Sequence, residues 1–209
     1  MREQLEDEGV EIPLLLPPDQ MTAADLLAAA EDLDQEELEA ETAAWLEPRT
    51  PDVAAAELLT AAAGGDPTER LVAIEIVNRL GAAAEPAWRD ALGRPELRAY
   101  AKIALTGIAG GEPGVTAIAG LEPELGDLAW LLIDLVTAMF DDPDELPQQI
   151  RDSIPAGQEQ EMFDAMSRSP HPDAADALSL IGEHHSDKQI AKAARRSAHR
   201  AASRPKPTS

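Results

Sequence analysis

The amino-acid sequence predicts an all-α fold, an array of antiparallel helix pairs, from its composition and its recurring helix signals. The 209 residues include 39 Ala and 25 Leu, which favour helices strongly. Only six residues are aromatic, and β-branched residues are few, so a β-sandwich or barrel is disfavoured. Helix signals recur every 12 to 20 residues with short connections between them, which is typical of consecutive antiparallel helices.

Helix starts in the first half of the chain are marked by capping residues and prolines. Thr22, Asp34 and Asp66 each precede an acidic residue three positions later, as in a capping box. Thr50 and Asp66 each precede a proline, which suits the first helical turn, and glycines follow the expected helix ends. These signals predict helices over residues 22–33, 34–46, 50–63, 66–80, 84–92 and 95–108.

The second half of the chain continues the helical pattern. The signals predict helices over residues 113–119, 125–140, 159–167, 172–183 and 187–202. The most hydrophobic of them, 125–140, is too short to span a bilayer and contains two aspartates. The acidic N-terminal segment lacks the basic start of a signal peptide, so we expect a cytoplasmic protein without membrane contact.

Two helical segments repeat with an offset of 28 residues. Pro67 aligns with Pro95, and Arg70 aligns with Arg98. A period in this range is typical of a stacked helical array, in which each helix pair buries its apolar face against its neighbours.

The second of these segments resembles the first helix of HEAT-like repeats. Residues 97–108 read Leu-Arg-x-x-Ala-x-x-Ala-Leu-x-x-Ile after a proline, as in the compact bacterial repeats of phycobilin-lyase-like proteins. The resemblance covers residues 66–109 and implies an irregular α-solenoid. It also implies that Arg70 and Arg98 have structural roles, because the repeat arginine of that family hydrogen-bonds neighbouring helices.

Charge is distributed unevenly along the chain. The net charge is −23, yet residues 187–209 carry seven basic residues and one acid, which leaves −29 on residues 1–186. Such an acidic body repels nucleic acid and attracts basic partners, although high solubility alone also accounts for it. We expect a flexible arm at residues 1–20, a helical domain at 21–202 and a disordered tail at 203–209.

Residues suited to catalysis or metal binding form no recognisable motif. Cysteine is absent, and there is no glycine-rich phosphate loop, G-x-S-x-G or H-E-x-x-H motif. His184 and His185 point about 100° apart on a helix and are interpreted as a polar helix end, while His171 lies between prolines in a solvated turn. The acidic residues 141–145 are interpreted as a linker with a helix start. The sequence therefore predicts no catalytic residue, metal or cofactor.

An acidic line and a basic stripe are the candidate binding features. Asp127, Asp134 and Asp141 recur every seven residues and are interpreted as the solvent face of one helix, with Trp130 nearby and partly exposed. The basic stripe recurs every four residues and consists of Lys188, Lys192, Arg196, Arg200 and Arg204. It fits either a helix that binds nucleic acid or a membrane surface, or a terminal helix whose alanine face docks on the array. The absence of aromatic residues from the stripe favours the docked helix.

The sequence thus predicts a protein-interaction module or accessory subunit that is not an enzyme. Its acidic surface would bind a protein partner with a basic surface. The candidate partner-binding residues are Asp127, Trp130, Asp134, Lys188, Lys192, Arg196 and Arg200. Two alternatives remain: a nucleic-acid-associated regulator acting through the basic C-terminal helix, and an enzyme on a HEAT-like scaffold, such as a phycobilin lyase or a DNA glycosylase.

Overall fold

The structure is a computed structural model that describes residues 17, 20–111, 121–140 and 143–204. Within these ranges the chain forms eleven α-helices and two short 3-10 helices, and it forms no strand. The all-α prediction is confirmed. The predicted helix at 113–119, Asp141, and most of the predicted arm and tail lie outside the described residues.

The helices follow one another closely along the chain. The first group is α1 (Ala23–Ala29), α2 (Gln35–Leu46), α3 (Pro51–Gly64), α4 (Pro67–Arg79), α5 (Glu85–Ala91) and α6 (Arg98–Gly111). The second group is α7 (Leu125–Thr137), α8 (Leu146–Ser153), α9 (Glu159–Arg168), α10 (Ala174–His184) and α11 (Lys188–Ala202). Short 3-10 helices, Gly81–Ala84 and Pro143–Glu145, precede α5 and α8.

Local capping chemistry fixes the starts of three helices. The side chains of Thr22, Asp34 and Asp66 each accept a hydrogen bond from the backbone three residues later, and the acid there accepts one in return. These are the capping boxes that the sequence predicts. Gly81, with φ of 60°, occupies the left-handed region immediately after α4 and its C-cap, where a side chain would be strained.

Two apolar clusters form the core, and α7 contacts both. The first cluster is built from α1 to α6 and contains the buried rings of Trp45 and Trp88. The second is built from α7 to α11 around Phe163. Helix α7 packs against α4 and α6 on one side and against α9 and α10 on the other. It therefore joins the two halves of the described chain.

The structure extends the sequence analysis at α8 and shortens the predicted helix at 125–140. The sequence analysis places only a linker with a helix start near α8, because prolines lie at the beginning of this segment. In the structure the helix is short, and Leu146 and Ile150 are its only buried residues. Helix α7 ends at Thr137 rather than at residue 140. No helix in the described ranges is long and apolar enough to cross a membrane.

The C-terminal helix α11 packs its alanine face on the second cluster. Ala191, Ala194 and Ala198 are buried, and α11 contacts α9 and α10. A Cβ atom at Gly182 in α10 would lie 2.5 Å from the Arg195 side chain, so a glycine is needed for this close approach. The docked-helix interpretation is confirmed for the alanine face.

The capping boxes make a measurable contribution to stability. We expect Asp66→Ala to lower the free energy of unfolding by about 1 kcal/mol, because the Glu69 backbone N–H loses its acceptor. Thr50→Ala is the matched control, since the Thr50 side chain makes no capping hydrogen bond. Urea denaturation of both variants measures the difference, and equal losses would contradict the assignment.

Candidate functional site

Asp134 of α7 lies at the centre of a buried polar cluster between the two halves. Its relative exposure is 0%, and its carboxylate contacts Arg70, Tyr100 and His171. The interpretation of the Asp127–Asp134 line as a solvent face is wrong at Asp134. Asp134 can be buried because α4, α6 and the loop before α10 supply hydrogen-bond donors to its carboxylate.

Arg70 connects α3, α4 and α7 through one guanidinium. Its Nε donates to the carbonyl oxygen of Ala62 at 3.3 Å, and Nη2 donates to that of Gly65 at 2.9 Å. Its Nη1 pairs with Asp134, and both side chains are buried. Arg98, its counterpart in the repeat, donates to the carbonyl oxygen of Leu92 at 3.3 Å and stays exposed. Both arginines therefore bind backbone carbonyls.

His171 is buried rather than solvated, which corrects the sequence interpretation. The backbone N–H of Asp173 donates to Nδ1 at 3.1 Å, so the ring carries its proton on Nε2. That nitrogen lies 2.8 Å from Oδ1 of Asp134 and donates to it. The prolines on either side shape a turn that places the imidazole inside the protein, where it packs 4.5 Å from the Trp130 ring.

Tyr100 completes the cluster from α6. Its hydroxyl donates to Oδ2 of Asp134 at 2.8 Å. Burial raises the pKa of Tyr100 far above its ordinary value, and the negative charge of Asp134 raises it further. Both effects act in the same direction, because each disfavours a phenolate in this interior. The three donors occupy both oxygens of Asp134, so the cluster links α4, α6, α7 and the loop before α10.

A second ion pair lies about two turns before Asp134 on α7. Lys102 Nζ is 2.6 Å from Oδ2 of Asp127, and both side chains are largely buried. The same oxygen accepts the Glu124 backbone N–H at 3.0 Å and caps α7. Asp127 is therefore engaged within the chain, whereas the sequence analysis places it on a solvent face.

A cleft of about 430 Å³ opens where α6 and α7 begin and α9 ends. Its walls are formed by Pro95, Arg98, Glu124, Leu125, Gly126, Asp127, Trp130, Ala165, Arg168, Ser169 and Pro170. Trp130 is only 8% exposed, which corrects the expectation of a partly exposed ring. Its indole nitrogen is buried and has no hydrogen-bond partner in the described part of the chain.

The basic stripe on α11 remains exposed at the surface. Lys188, Lys192, Arg196 and Arg200 all face solvent, and Arg200 pairs with Asp164 of α9. Lys192 and Arg196, with Arg195 and His199, line a shallow depression of about 380 Å³. No hydrogen bond or ion pair among the described residues joins the four exposed stripe residues to Asp127, Trp130 or Asp134. Arg204, the last residue of the stripe, donates to the carbonyl oxygen of Ser167 at 3.1 Å, close to the cleft.

A third surface feature is a groove of about 280 Å³ between α2 and α4. It is lined by Gln35, Leu38, Glu39, Thr42, Val72, Glu75, Ile76 and Arg79. Residues 21–48, which include α1 and α2, contain nine acids and no lysine or arginine. The groove thus combines apolar side chains with Glu39 and with the ion pair between Glu75 and Arg79.

The remaining histidines do not assemble a metal site. His184 is exposed at the end of α10, while His185 is buried and its Nδ1 accepts the Asp187 backbone N–H at 3.1 Å. The described residues contain no group of three or more histidine, aspartate or glutamate side chains placed to hold a metal ion.

The sequence analysis missed Tyr100 and His171 as members of the central cluster. The sequence holds only a weak indication that Tyr100 has a special role. It is the single tyrosine of the chain, and it lies between small residues in the repeat helix. Comparison with models of protein families, with curated proteins and with solved structures yields no significant match.

The central cluster predicts a large cost for removing one partner. We expect Asp134→Ala to lower the free energy of unfolding by about 3–5 kcal/mol, because Arg70 would remain buried without its counterion. The double variant Arg70→Met/Asp134→Leu should lose less, since no charge is left buried. Glu75→Gln, which breaks an exposed pair with Arg79, should cost less than about 0.5 kcal/mol. Chemical denaturation that ranks these variants differently would contradict the assignment.

The raised pKa of Tyr100 predicts a loss of stability at alkaline pH. The phenol stays neutral in the folded protein but ionises in the unfolded chain above about pH 10. The resulting stability is fully present below pH 10 and decreases as the pH rises further. Because Tyr100 is the only tyrosine, absorbance at 295 nm reports its ionisation directly. We expect no phenolate signal before unfolding, and Tyr100→Phe should lack this component of the pH dependence. Ionisation near pH 10 in the folded protein would contradict the cluster geometry.

Proposed function

We propose that the helices form an irregular array of antiparallel pairs with HEAT-like repeats in its middle. Support comes from the offset of 28 residues between Arg70 and Arg98 and from the hydrogen bonds of both arginines to backbone carbonyls. Contacts between successive helices, such as α3 with α4 and α10 with α11, are those that such an array requires.

We propose that the protein is a non-catalytic interaction module that binds a protein partner with a basic surface. The observation that carries this proposal is the groove between α2 and α4, which has Glu39 in its wall and borders a stretch, residues 21–48, that holds nine acids. Electrostatic attraction would steer a basic partner to this face and select against acidic ones.

The groove favours a particular kind of partner segment. The groove offers apolar contacts from Leu38, Val72 and Ile76. The carboxylates of Glu39 and Glu75 line the same groove. An amphipathic segment with lysines or arginines beside its apolar residues matches this arrangement. The central Asp134 cluster is consistent with this proposal, because its donors and acceptor are all engaged inside the chain.

A charge-matched pair of variants tests the proposal. Glu39→Gln/Glu75→Gln removes the two acids that line the groove, and Asp176→Asn/Glu183→Gln removes two exposed acids from α10. Each immobilised variant captures proteins from a native extract of the source cells, and the captured protein is then titrated against each variant by calorimetry. We expect the groove variant to bind about tenfold more weakly, because each rim charge contributes about 1 kcal/mol or less in water.

The control variant separates specific binding from general charge effects. It should retain the wild-type affinity, and the difference between the two variants should shrink at high salt. Equal weakening in both variants, or undiminished binding by the groove variant, would refute the proposal.

A further inference from the structure

The groove between α2 and α4 lies beside a helix that lacks a full set of packing partners. Helix α2 has 12 residues, yet Thr42 and Trp45 are its only buried ones. A helix on a protein surface normally buries a continuous apolar stripe. Leu38, one turn before Thr42, is only half-buried and lines the groove, as does the half-buried Val72 of α4. The groove of about 280 Å³ therefore marks apolar surface that no described residue covers.

The described chain begins near one end of this groove. The carbonyl oxygen of Pro17 accepts the backbone N–H of Met21 at 3.0 Å. The carbonyl oxygen of Met21 in turn accepts the indole N–H of Trp45 at 3.0 Å. Trp45 lies three residues after Thr42, on the same side of α2, and Thr42 is the last α2 residue that lines the groove. Pro17 is therefore held close to the Thr42 end of the groove.

The segment just before the described chain is apolar and uncharged. Residues 12–16 read Ile-Pro-Leu-Leu-Leu, with four large aliphatic side chains in five positions. A residue before a proline is restricted to extended conformations, which applies to Ile12 and Leu16. Alternate side chains of an extended segment share a face, so Ile12, Leu14 and Leu16 form one apolar face. Leu15 belongs to the opposite face. Burial of this apolar face is favourable, because it removes aliphatic surface from water.

The length of the groove suits this segment. Gln35 and Thr42, at its two ends on α2, are seven residues apart, which is about 10 Å along a helix. An extended chain covers this distance in about three residues. Residues 14–16 are therefore long enough to follow the groove from its Thr42 end. The acids of the N-terminal segment, the last of which is Glu11, would then lie beyond the far end.

We propose that residues 12–16 dock in the α2–α4 groove of their own chain. Leu14 and Leu16 pack against its apolar side chains, among them Leu38 and Val72. The link is intramolecular, so the effective concentration of the segment is high and a weak intrinsic affinity is sufficient. The docked segment competes with the basic partner for the groove, and this competition, unlike the docking itself, rests on the proposed function.

Two matched pairs of leucine substitutions test the docking in the 209-residue chain. Leu14→Ser/Leu16→Ser changes the face that docks, whereas Leu5→Ser/Leu15→Ser removes two leucines outside that face. The methyl resonances of the groove residues are followed in ¹³C-labelled protein. We expect them to shift in the first variant, because the groove loses its occupant, and to keep their wild-type positions in the second.

A substitution in the groove tests the same contact from the other side. Leu38→Ser should shift the methyl resonances of Leu14 and Leu16. Leu71→Ser, at a half-buried leucine of α4 outside the groove, should leave them unchanged. Groove resonances that ignore the first leucine pair, or that shift equally with both pairs, would overturn the docking. Contacts between segment and groove that appear only between differently labelled copies would also overturn it, because a second copy would then be the occupant.

Calorimetry with the basic partner separates this inference from the proposed function. We expect Leu14→Ser/Leu16→Ser to bind the partner at least about threefold more tightly than the wild type, because the segment no longer occupies the groove. If the groove resonances respond to this variant but Glu39→Gln/Glu75→Gln leaves partner binding unchanged, the docking stands and the proposed function fails. If Glu39→Gln/Glu75→Gln weakens partner binding but the groove resonances do not respond, the proposed function stands and the docking fails.

Discussion

The fold depends on one buried ion pair, between Arg70 and Asp134. Each partner is desolvated, and such a pair is tolerable only when the remaining donors and acceptors are satisfied. Here the backbone carbonyls of Ala62 and Gly65 satisfy the guanidinium, and Tyr100 and His171 satisfy the carboxylate. The two apolar clusters supply most of the hydrophobic stabilisation, but this pair defines how the halves meet, because its hydrogen bonds are directional.

The buried Asp134 cluster has a structural role and is separate from the surface depressions. Side chains that could perform chemistry, such as His171 and Tyr100, are engaged in structure. The surface depressions lie elsewhere: a groove between α2 and α4, and a cleft where α7 begins.

Sequence reasoning succeeds where the determinant is local. The capping boxes at Thr22, Asp34 and Asp66 are found at the predicted residues, because each involves atoms only three positions apart. The alanine face of α11 is likewise visible from its spacing. The central cluster could not be predicted, because helical periodicity does not reveal which neighbour covers a polar residue. Asp134 on an apolar helix and His171 between prolines both look solvated until distant donors and packing partners are known.

The position of the cluster along the chain also shapes how the protein folds. Asp134 lies 64 residues from Arg70, 34 from Tyr100 and 37 from His171, whereas helix capping and turn bonds span only a few residues. Bringing such distant groups together costs loop-closure entropy, and they lose their hydration before their mutual attraction compensates. Each half has its own apolar cluster, so we expect the halves to collapse separately and to enclose the charged groups when they dock. A misaligned docking would bury Arg70 without Asp134, so we expect this step to select the native arrangement.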